Sequence, residues 1–394
     1  MTNPVKVRSI IFTEACPLNC RYCDLQNDTQ YGCKPQMTKE EIFEIVEGYN
    51  QMDDPNTTDT RILFSGGEPF LFWDWIKEII LKYGDRFQYS FNTSGYCFTE
   101  EILEFLSHYH TSFVLSVDGG EALTNYLRPV TANPYKVGYY KQLKKILPTM
   151  LYYFPQTPFR MIIHPRYIDL VYKQYLEAEK LGFKYFTFVI DFETRPEKEV
   201  RKDKKIIKWN NEHTEKLQEQ FDLIVQEIVM GFKLGIQKPR VVEIDKVIDF
   251  LINNKSFNTK DLPCQVFNDR SLSTLYNEDS HHCMYVKYPN IEDAEKALNE
   301  AYEKQNHKCN HDENCPAFEY CALTCCPQIC LLIRSGFFDF DTLECAQNKV
   351  VYQSALRLLA LGNEFAADEK LYKRYLNKIM TYKGVDENGD LLPL

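Results

Sequence analysis

The sequence predicts an α/β fold: a partial, TIM-like barrel of six strand–helix units, then a small cysteine-rich auxiliary domain and a C-terminal helix. Three observations predict it. Strand-prone and helix-prone stretches alternate from residue 5 to about 190, the pattern of a parallel sheet with crossover helices. The fourteen cysteines are clustered, with three in 16–23, nine in 264–345 and none in 98–263. A highly charged run at 197–206 separates the alternating part from the rest of the chain and reads as a solvated linker. The expected organisation is a barrel over 1–195, a helical linker over 196–262, the cysteine-rich domain over 263–346, and a C-terminal helix and tail over 347–394.

Taken in order, strands are predicted at 5–12, 61–65, 87–92, 113–117, 159–164 and 185–190, each a run rich in β-branched or aromatic residues. Helices are predicted between them at 38–52, 69–83, 99–109, 134–147 and 167–181. Thr38 and Thr99, each followed by acidic residues, read as helix starts, and Gly84 and Gly182 suit helix ends. Barrels of this kind put their chemistry on loops at the C-terminal ends of the strands. Past the charged run, Leu217, Phe221, Ile224, Val225, Ile228 and Phe232 recur at helical spacing and predict a helix over 207–233. A second follows Pro239 over 241–253, and a last one spans about 346–361, with more helix at 365–381. The tail from Gly384 is polar and reads as frayed.

Composition narrows the class. Hydrophobic residues make up 44% and charged residues 26% of the 394 positions, ordinary for a globular protein long enough for more than one domain. A net charge of −10 argues against a non-specific nucleic-acid binder, whose footprint would be basic. No apolar signal segment opens the chain and no apolar run reaches the roughly 18 residues of a membrane span. The expectation is a cytoplasmic protein bound to neither membrane nor nucleic acid. Clustered cysteines without a signal peptide read as metal binding rather than as a disulfide scaffold.

The organising stretch is Cys16-Pro-Leu-Asn-Cys20-Arg-Tyr-Cys23, spaced C-x3-C-x2-C directly after the first strand. Thiolates at this density suit an iron–sulfur cluster, which takes four protein ligands when closed. With three local ligands, one iron stays open for something else. A structural zinc, or an electron relay with a distant fourth ligand, is the alternative on spacing alone. The motif, with Tyr22 before its last cysteine, resembles the cluster signature of the radical S-adenosylmethionine (radical SAM) family. The resemblance implies a [4Fe-4S] cluster on Cys16, Cys20 and Cys23, whose open iron chelates S-adenosylmethionine. It further implies reductive cleavage to a 5′-deoxyadenosyl radical that takes a hydrogen atom from substrate.

Later strand ends carry further parts of the resemblance. Ser65-Gly66-Gly67-Glu68-Pro69 reads by itself as a tight turn where backbone approaches a ligand. It resembles the family's Gly-Gly-Glu-Pro motif, which assigns Gly66, Gly67 and Glu68 to the methionine amino group. Asn92-Thr93-Ser94-Gly95 resembles the family's Thr-Asn-Gly-type loop in altered order, so Asn92 or Ser94 reaches the ribose. Ser116-Val-Asp118-Gly119 matches the family's Ser-x-Asp-Gly, making Ser116 a ribose candidate and Asp118 either a ligand or a turn residue. Arg128 stands where relatives place an arginine on the cofactor carboxylate, a pairing a guanidinium suits. Asp191 and Glu193, past strand six, are candidates for substrate binding or proton transfer, or else a solvated loop. Cys97 is either a buried thiol or a hydrogen-atom donor to a substrate radical, as in peptide epimerases of the family.

The C-terminal cysteines resemble the SPASM extension, which carries two auxiliary [4Fe-4S] clusters. By that resemblance Cys264, Cys283 and Cys325 hold the inner cluster, and Cys309, Cys315, Cys321 and Cys345 the outer one. The inner fourth ligand is Cys326, Cys330 or none. Residues 271–276 are β-prone and 277–279 could turn, giving the hairpin expected between Cys264 and Cys283. Two departures stand: x5 between Cys309 and Cys315 where x2 is usual, and no glycine upstream of Cys283. A zinc-binding lobe is the alternative.

The function expected from the resemblance is hydrogen abstraction from a peptide, giving a cross-link, oxidation or epimerisation in ribosomal peptide maturation. Alternatives are an anaerobic sulfatase-maturing-type enzyme oxidising a Cys or Ser of a protein, a small-molecule sugar or alcohol dehydrogenase, and a non-catalytic zinc- or cluster-bearing binding protein. Met284 after Cys283, where the sulfatase-maturing group has Asp, tilts the reading to peptides. Expected partners are a peptide or protein substrate and an external electron donor of flavodoxin or ferredoxin type. Only fifteen residues precede Cys16, so a leader-binding protein is expected to be separate or absent.

Overall fold

The computed structural model describes residues 6–23, 36–53, 59–130, 138–190, 209–253, 271–275, 317 and 343–364. Six strands form where the sequence predicts them: β1 (Lys6–Ile11), β2 (Thr60–Ser65), β3 (Gln88–Thr93), β4 (Thr111–Ser116), β5 (Phe159–Ile163) and β6 (Tyr185–Ile190). Two more join them, β7 (Arg240–Val241) and β8 (Ser271–Leu275). All pairings are parallel, in the order β7-β6-β5-β4-β3-β2-β1-β8. Among the described residues the two edge strands do not pair, so the barrel is open.

β8 changes one expectation. The strand is present, but its described partner is β1, from Val7↔Ser271 to Ile11↔Leu275. It therefore extends the barrel sheet. A hairpin partner would fall outside the described residues, as would Asp191, Glu193 and every C-terminal cysteine but Cys345, whose backbone lies in the helix Leu343–Glu364.

Among the described residues the α-helices are α1 (Lys39–Met52), α2 (Trp73–Tyr83), α3 (Glu100–Ser107), α4 (Glu121–Leu127), α5 (Tyr139–Tyr153), α6 (Val171–Lys180), α7 (Asn211–Leu234), α8 (Val242–Asn253) and α9 (Leu343–Glu364). Thr38 caps α1 in a capping box with Glu41, and Thr99 caps α3 through Ile102 N. Helix α5 departs from its predicted 134–147 by running through Pro148. The proline removes one donor to Lys144, and both residues are exposed, so the missing hydrogen bond falls on the solvent side of the helix. The apolar stripe Tyr139, Leu143, Leu147, Met150 stays buried on the other side.

Strand residues alternate between two environments. One face is buried under the helices, with Phe64, Phe91 and Phe113 in a row and Phe159 stacked on Phe186. The other face is half-buried and rich in small polar groups: Ser9, Ser65, Ser90, Asn92, Ser112 and Ser116. Ser90 and Ser112 share a hydrogen bond of 2.6 Å across it. The aromatic layer packs the sheet against the helices, while the polar layer lies on its other face. At the opposite ends of β1 and β2, Arg8 is fully buried and pairs with Asp53 through Nε (3.1 Å) and Nη2 (2.8 Å). Lys6 and Thr60 add donors to the same carboxylate.

Candidate functional site

The loop after β1 carries Cys16, Cys20 and Cys23, all partly buried. It is pinned from two sides. On one side the glycine turn after β2 packs against its backbone. Gly67 N donates to Thr13 O (2.7 Å) and Glu68 N to Ala15 O (2.8 Å). A Cβ on Gly66 would lie 2.4 Å from Thr13 O, and one on Gly67 2.2 Å from Ala15 O. Gly66 also has φ +125°, a region that L side chains rarely adopt. In this fold the paired glycines let two loops touch. On the other side, Asn19 N donates to Pro129 O (2.8 Å) and Arg21 N to Leu127 O (2.9 Å). An antiparallel bridge joins Leu18 to Val130.

Glu68 is fully buried. Its carboxylate accepts from Thr93 Oγ1 (2.7 Å), Ser94 Oγ (2.5 Å), Ser94 N (2.9 Å) and Phe70 N (3.3 Å). Burial raises its pKa, against the pull of those donors. The family resemblance points Glu68 and Ser94 at the cofactor; the structure turns their side chains toward each other and so locks the β2 and β3 loops together. Asn92 differs, for it lies on the half-buried face with Nδ2 on Ser65 Oγ (3.2 Å). Ser116 shares that face at the end of β4.

Asp118 is a hub. Fully buried, it accepts from Tyr22 Oη (2.6 Å), Arg128 Nε (2.7 Å), Arg128 Nη2 (3.2 Å) and Ile162 N (3.1 Å). The resemblance points Arg128 at a cofactor carboxylate. Here its fork is closed on Asp118, while Nη1 lies 3.8 Å from Cys20 Sγ and its carbon 5.2 Å from the Tyr22 ring centre. Gly119, at φ +143°, leaves room for Gln174 of α6, whose Oε1 accepts from Gly120 N (2.7 Å). Tyr139 Oη sits between Ser94 O (2.5 Å) and Ser116 O (2.7 Å), tying the ends of β3 and β4.

Burial and neighbouring charges act on two of these thiols. Burial pushes Cys16 up, with the Glu68 charge adding to it. Burial pushes Cys20 up to about 12 even with Arg128 opposing. Among the described residues no three His, Cys, Asp or Glu side chains are grouped for a single metal ion. A three-thiol set on one pinned loop fits a polynuclear iron–sulfur cluster, which spreads its ligands over separate irons. Cys97, in the turn after β3, is partly buried and packed against the core. Burial and the nearby Glu68 raise its pKa.

Sequence reasoning missed Tyr139, Gln174 and Thr93. Gln174 left a signal: it is a polar residue on the apolar stripe Val171, Tyr175, Ala178 of α6, where a buried amide needs a partner. Tyr139 left none, because it opens a helix on no motif.

Comparison with known proteins bears on this geometry. The Radical SAM superfamily profile matches residues 10–169, so these residues carry a radical SAM domain. The radical SAM cyclopropyl synthase TigE of Paramaledivibacter caminithermalis is 25% identical over 130 residues, 29% of this chain and 27% of that protein. The 7-carboxy-7-deazaguanine synthase of Methanocaldococcus jannaschii is 31% identical over 109 residues, 25% of this chain and 44% of that protein. The matches thus span less than half of each curated relative. Among solved structures, anSMEcpe with bound AdoMet superposes with a TM-score of 0.64 at 17% identity, covering 94% of this chain and 99% of that one. The same protein with AdoMet and the Cp18Cys peptide gives 0.62 at 17%, covering 92% and 100%. That likeness establishes the shared fold.

Proposed function

We propose, from the radical SAM domain that residues 10–169 carry, that this chain modifies a peptide by hydrogen-atom abstraction. Cys16, Cys20 and Cys23 would hold a [4Fe-4S] cluster, with S-adenosylmethionine bound beside it. When bound, the pair supplies a 5′-deoxyadenosyl radical, the oxidant that takes the hydrogen atom. The observation that carries the reading is the contact between the cysteine loop and the glycine turn, Gly67 N to Thr13 O at 2.7 Å. It holds three thiols at the mouth of an open parallel barrel.

The chain's residues supply binding and shielding. Gly66 and Gly67 keep backbone close to the cluster loop, and Glu68 with Ser94 fixes the next loop in place. Asn92 and Ser116 offer polar groups to a ribose from the open face. Asp191 and Glu193 remain proposed for the barrel mouth, to bind substrate or hold a proton. Cys97 stays a neutral thiol, the form that can return a hydrogen atom. The cysteines of 264–345 are proposed to form a SPASM-type domain with two auxiliary clusters over 263–346. An external flavodoxin- or ferredoxin-type donor would supply the electron.

One solved relative supports a peptide substrate: anSMEcpe holds the Cp18Cys peptide. The match to 7-carboxy-7-deazaguanine synthase favours a second reading, a small-molecule substrate. The discriminating experiment supplies a deuterated short peptide encoded beside the gene. Deuterium in 5′-deoxyadenosine together with a mass change in the peptide supports the first reading. Deuterium transfer from deuterated small alcohols or sugars, and none from peptides, supports the second and overturns the first.

A further inference from the structure

We propose that Asp118 is a positioning residue: it aims the Arg128 guanidinium at Cys20, and the pair sets the reduction potential of the cluster held there. The inference rests on the proposed cluster at Cys16, Cys20 and Cys23 and concerns only this chain's side chains toward it.

Four observations carry it. First, Asp118 is fully buried and Arg128 nearly so, so their charges act across a medium of low polarity, where screening is weak. Second, the fork of Arg128 is closed by two hydrogen bonds to Asp118, at 2.7 and 3.2 Å. The planar guanidinium then has one orientation, and its remaining nitrogen, Nη1, stands 3.8 Å from Cys20 Sγ. Third, Asp118 is itself fixed. Ile162 N, on β5, donates to it at 3.1 Å, so its carboxylate continues the sheet ladder where β4 has ended. Fourth, the same carboxylate takes the Tyr22 hydroxyl at 2.6 Å, one residue from the ligand Cys23. The hub thus ties the barrel frame to both ends of the Cys20-Arg-Tyr-Cys23 turn.

Chemistry turns this geometry into an effect. A cationic N–H donor on a ligand sulfur stabilises the more negative, reduced form of a cluster, and hydrogen bonds to sulfur and net local charge are recognised controls of its potential. Asp118 opposes Arg128 in charge while fixing its aim. Removing the guanidinium alone leaves a buried carboxylate near the cluster, which disfavours the added electron. Removing both charges restores neutrality.

The test is an anaerobic redox titration of the reconstituted full chain at pH 8, following the cluster signal that changes when S-adenosylmethionine is added. Arg128→Gln keeps an N–H for Asp118 but loses the charge. Its midpoint is expected to shift negative, with iron per chain retained. The double variant Asp118→Asn/Arg128→Gln is expected to return most of the way to wild type, which a merely structural role would not produce. Asp118→Asn alone is expected to broaden the cluster's EPR signal as the guanidinium loses its fixed aim. An Arg128→Gln midpoint equal to wild type, or a double variant shifted as far as the single, would overturn the proposal. Should Arg128→Gln fail to fold, Arg128→Lys with Asp118→Asn/Arg128→Gln gives the same comparison of charge with orientation. A wild-type protein with no cluster signal would instead overturn the cluster assignment itself.

Discussion

Single residues at the site do structural work that their motif alone does not reveal. Gly66 combines a positive φ with a backbone oxygen 2.4 Å from where its Cβ would be. Gly66→Ala therefore faces about 1–3 kcal/mol of backbone strain, and the clash adds to it. The cluster loop must move, so we expect iron bound per chain to fall well below wild type while far-ultraviolet circular dichroism holds. Unchanged iron content would contradict a role for the loop contact in holding the thiols. Cys97 is held neutral by burial and by Glu68. If it returns a hydrogen atom, Cys97→Ala should still form 5′-deoxyadenosine and lose product; full product yield would remove the role. The sequence alone made the cysteines and glycines legible, because their chemistry and steric freedom are intrinsic to the residue type. It could not reveal that Glu68, Ser94 and Arg128 spend their side chains on protein partners. Those contacts join residues far apart in sequence, such as Arg128 and Cys20.

At the scale of elements, the strands follow from local composition and the helices from capping and periodicity. Helix α4 escaped prediction because its seven residues are too few to show a period. The two residues of β7 escaped for the same reason. Helix α5 ran past Pro148 because its apolar stripe outweighed one solvent-facing hydrogen bond. The base of β1 supplies a sharper test. Burial alone would raise the Asp53 carboxyl, but hydrogen bonds and charge from Arg8 and Lys6 outweigh it and hold its pKa below the usual value. Its contribution is therefore present above the unfolded pKa of about 3.9 and lost as pH falls through the lower folded value. Asp53→Asn breaks the buried ion pair with Arg8 and should cost about 3–5 kcal/mol at pH 7. In thermal melts its deficit in Tm against wild type should shrink below about pH 4. A deficit independent of pH would show that the ion pair is not its source.

The whole molecule joins a rigid frame to an open mouth. Among the described residues, eight parallel strands place the ends of β1 to β4 side by side, which brings the cysteine loop, the glycine turn, the β3 loop and Asp118 together. Strand–helix alternation made this arrangement legible, since a parallel sheet with crossover helices puts every strand's C-terminal end on one face. The extension of the sheet by β8 was not legible, because a short β-prone run does not reveal its partner. Among the described residues no helix is long and apolar enough to cross a membrane. The central question is whether the three pinned thiols hold a cluster that drives radical chemistry. The most direct measurement is anaerobic reconstitution with iron and sulfide, followed by reduction with S-adenosylmethionine and assay of 5′-deoxyadenosine, for wild type beside Cys16→Ala/Cys20→Ala/Cys23→Ala. Deoxyadenosine is expected from wild type and none from the triple variant, with about four fewer irons per chain, the content of one [4Fe-4S] cluster. Equal iron in both proteins, or zinc and no deoxyadenosine in wild type, would contradict a radical-generating cluster on this loop.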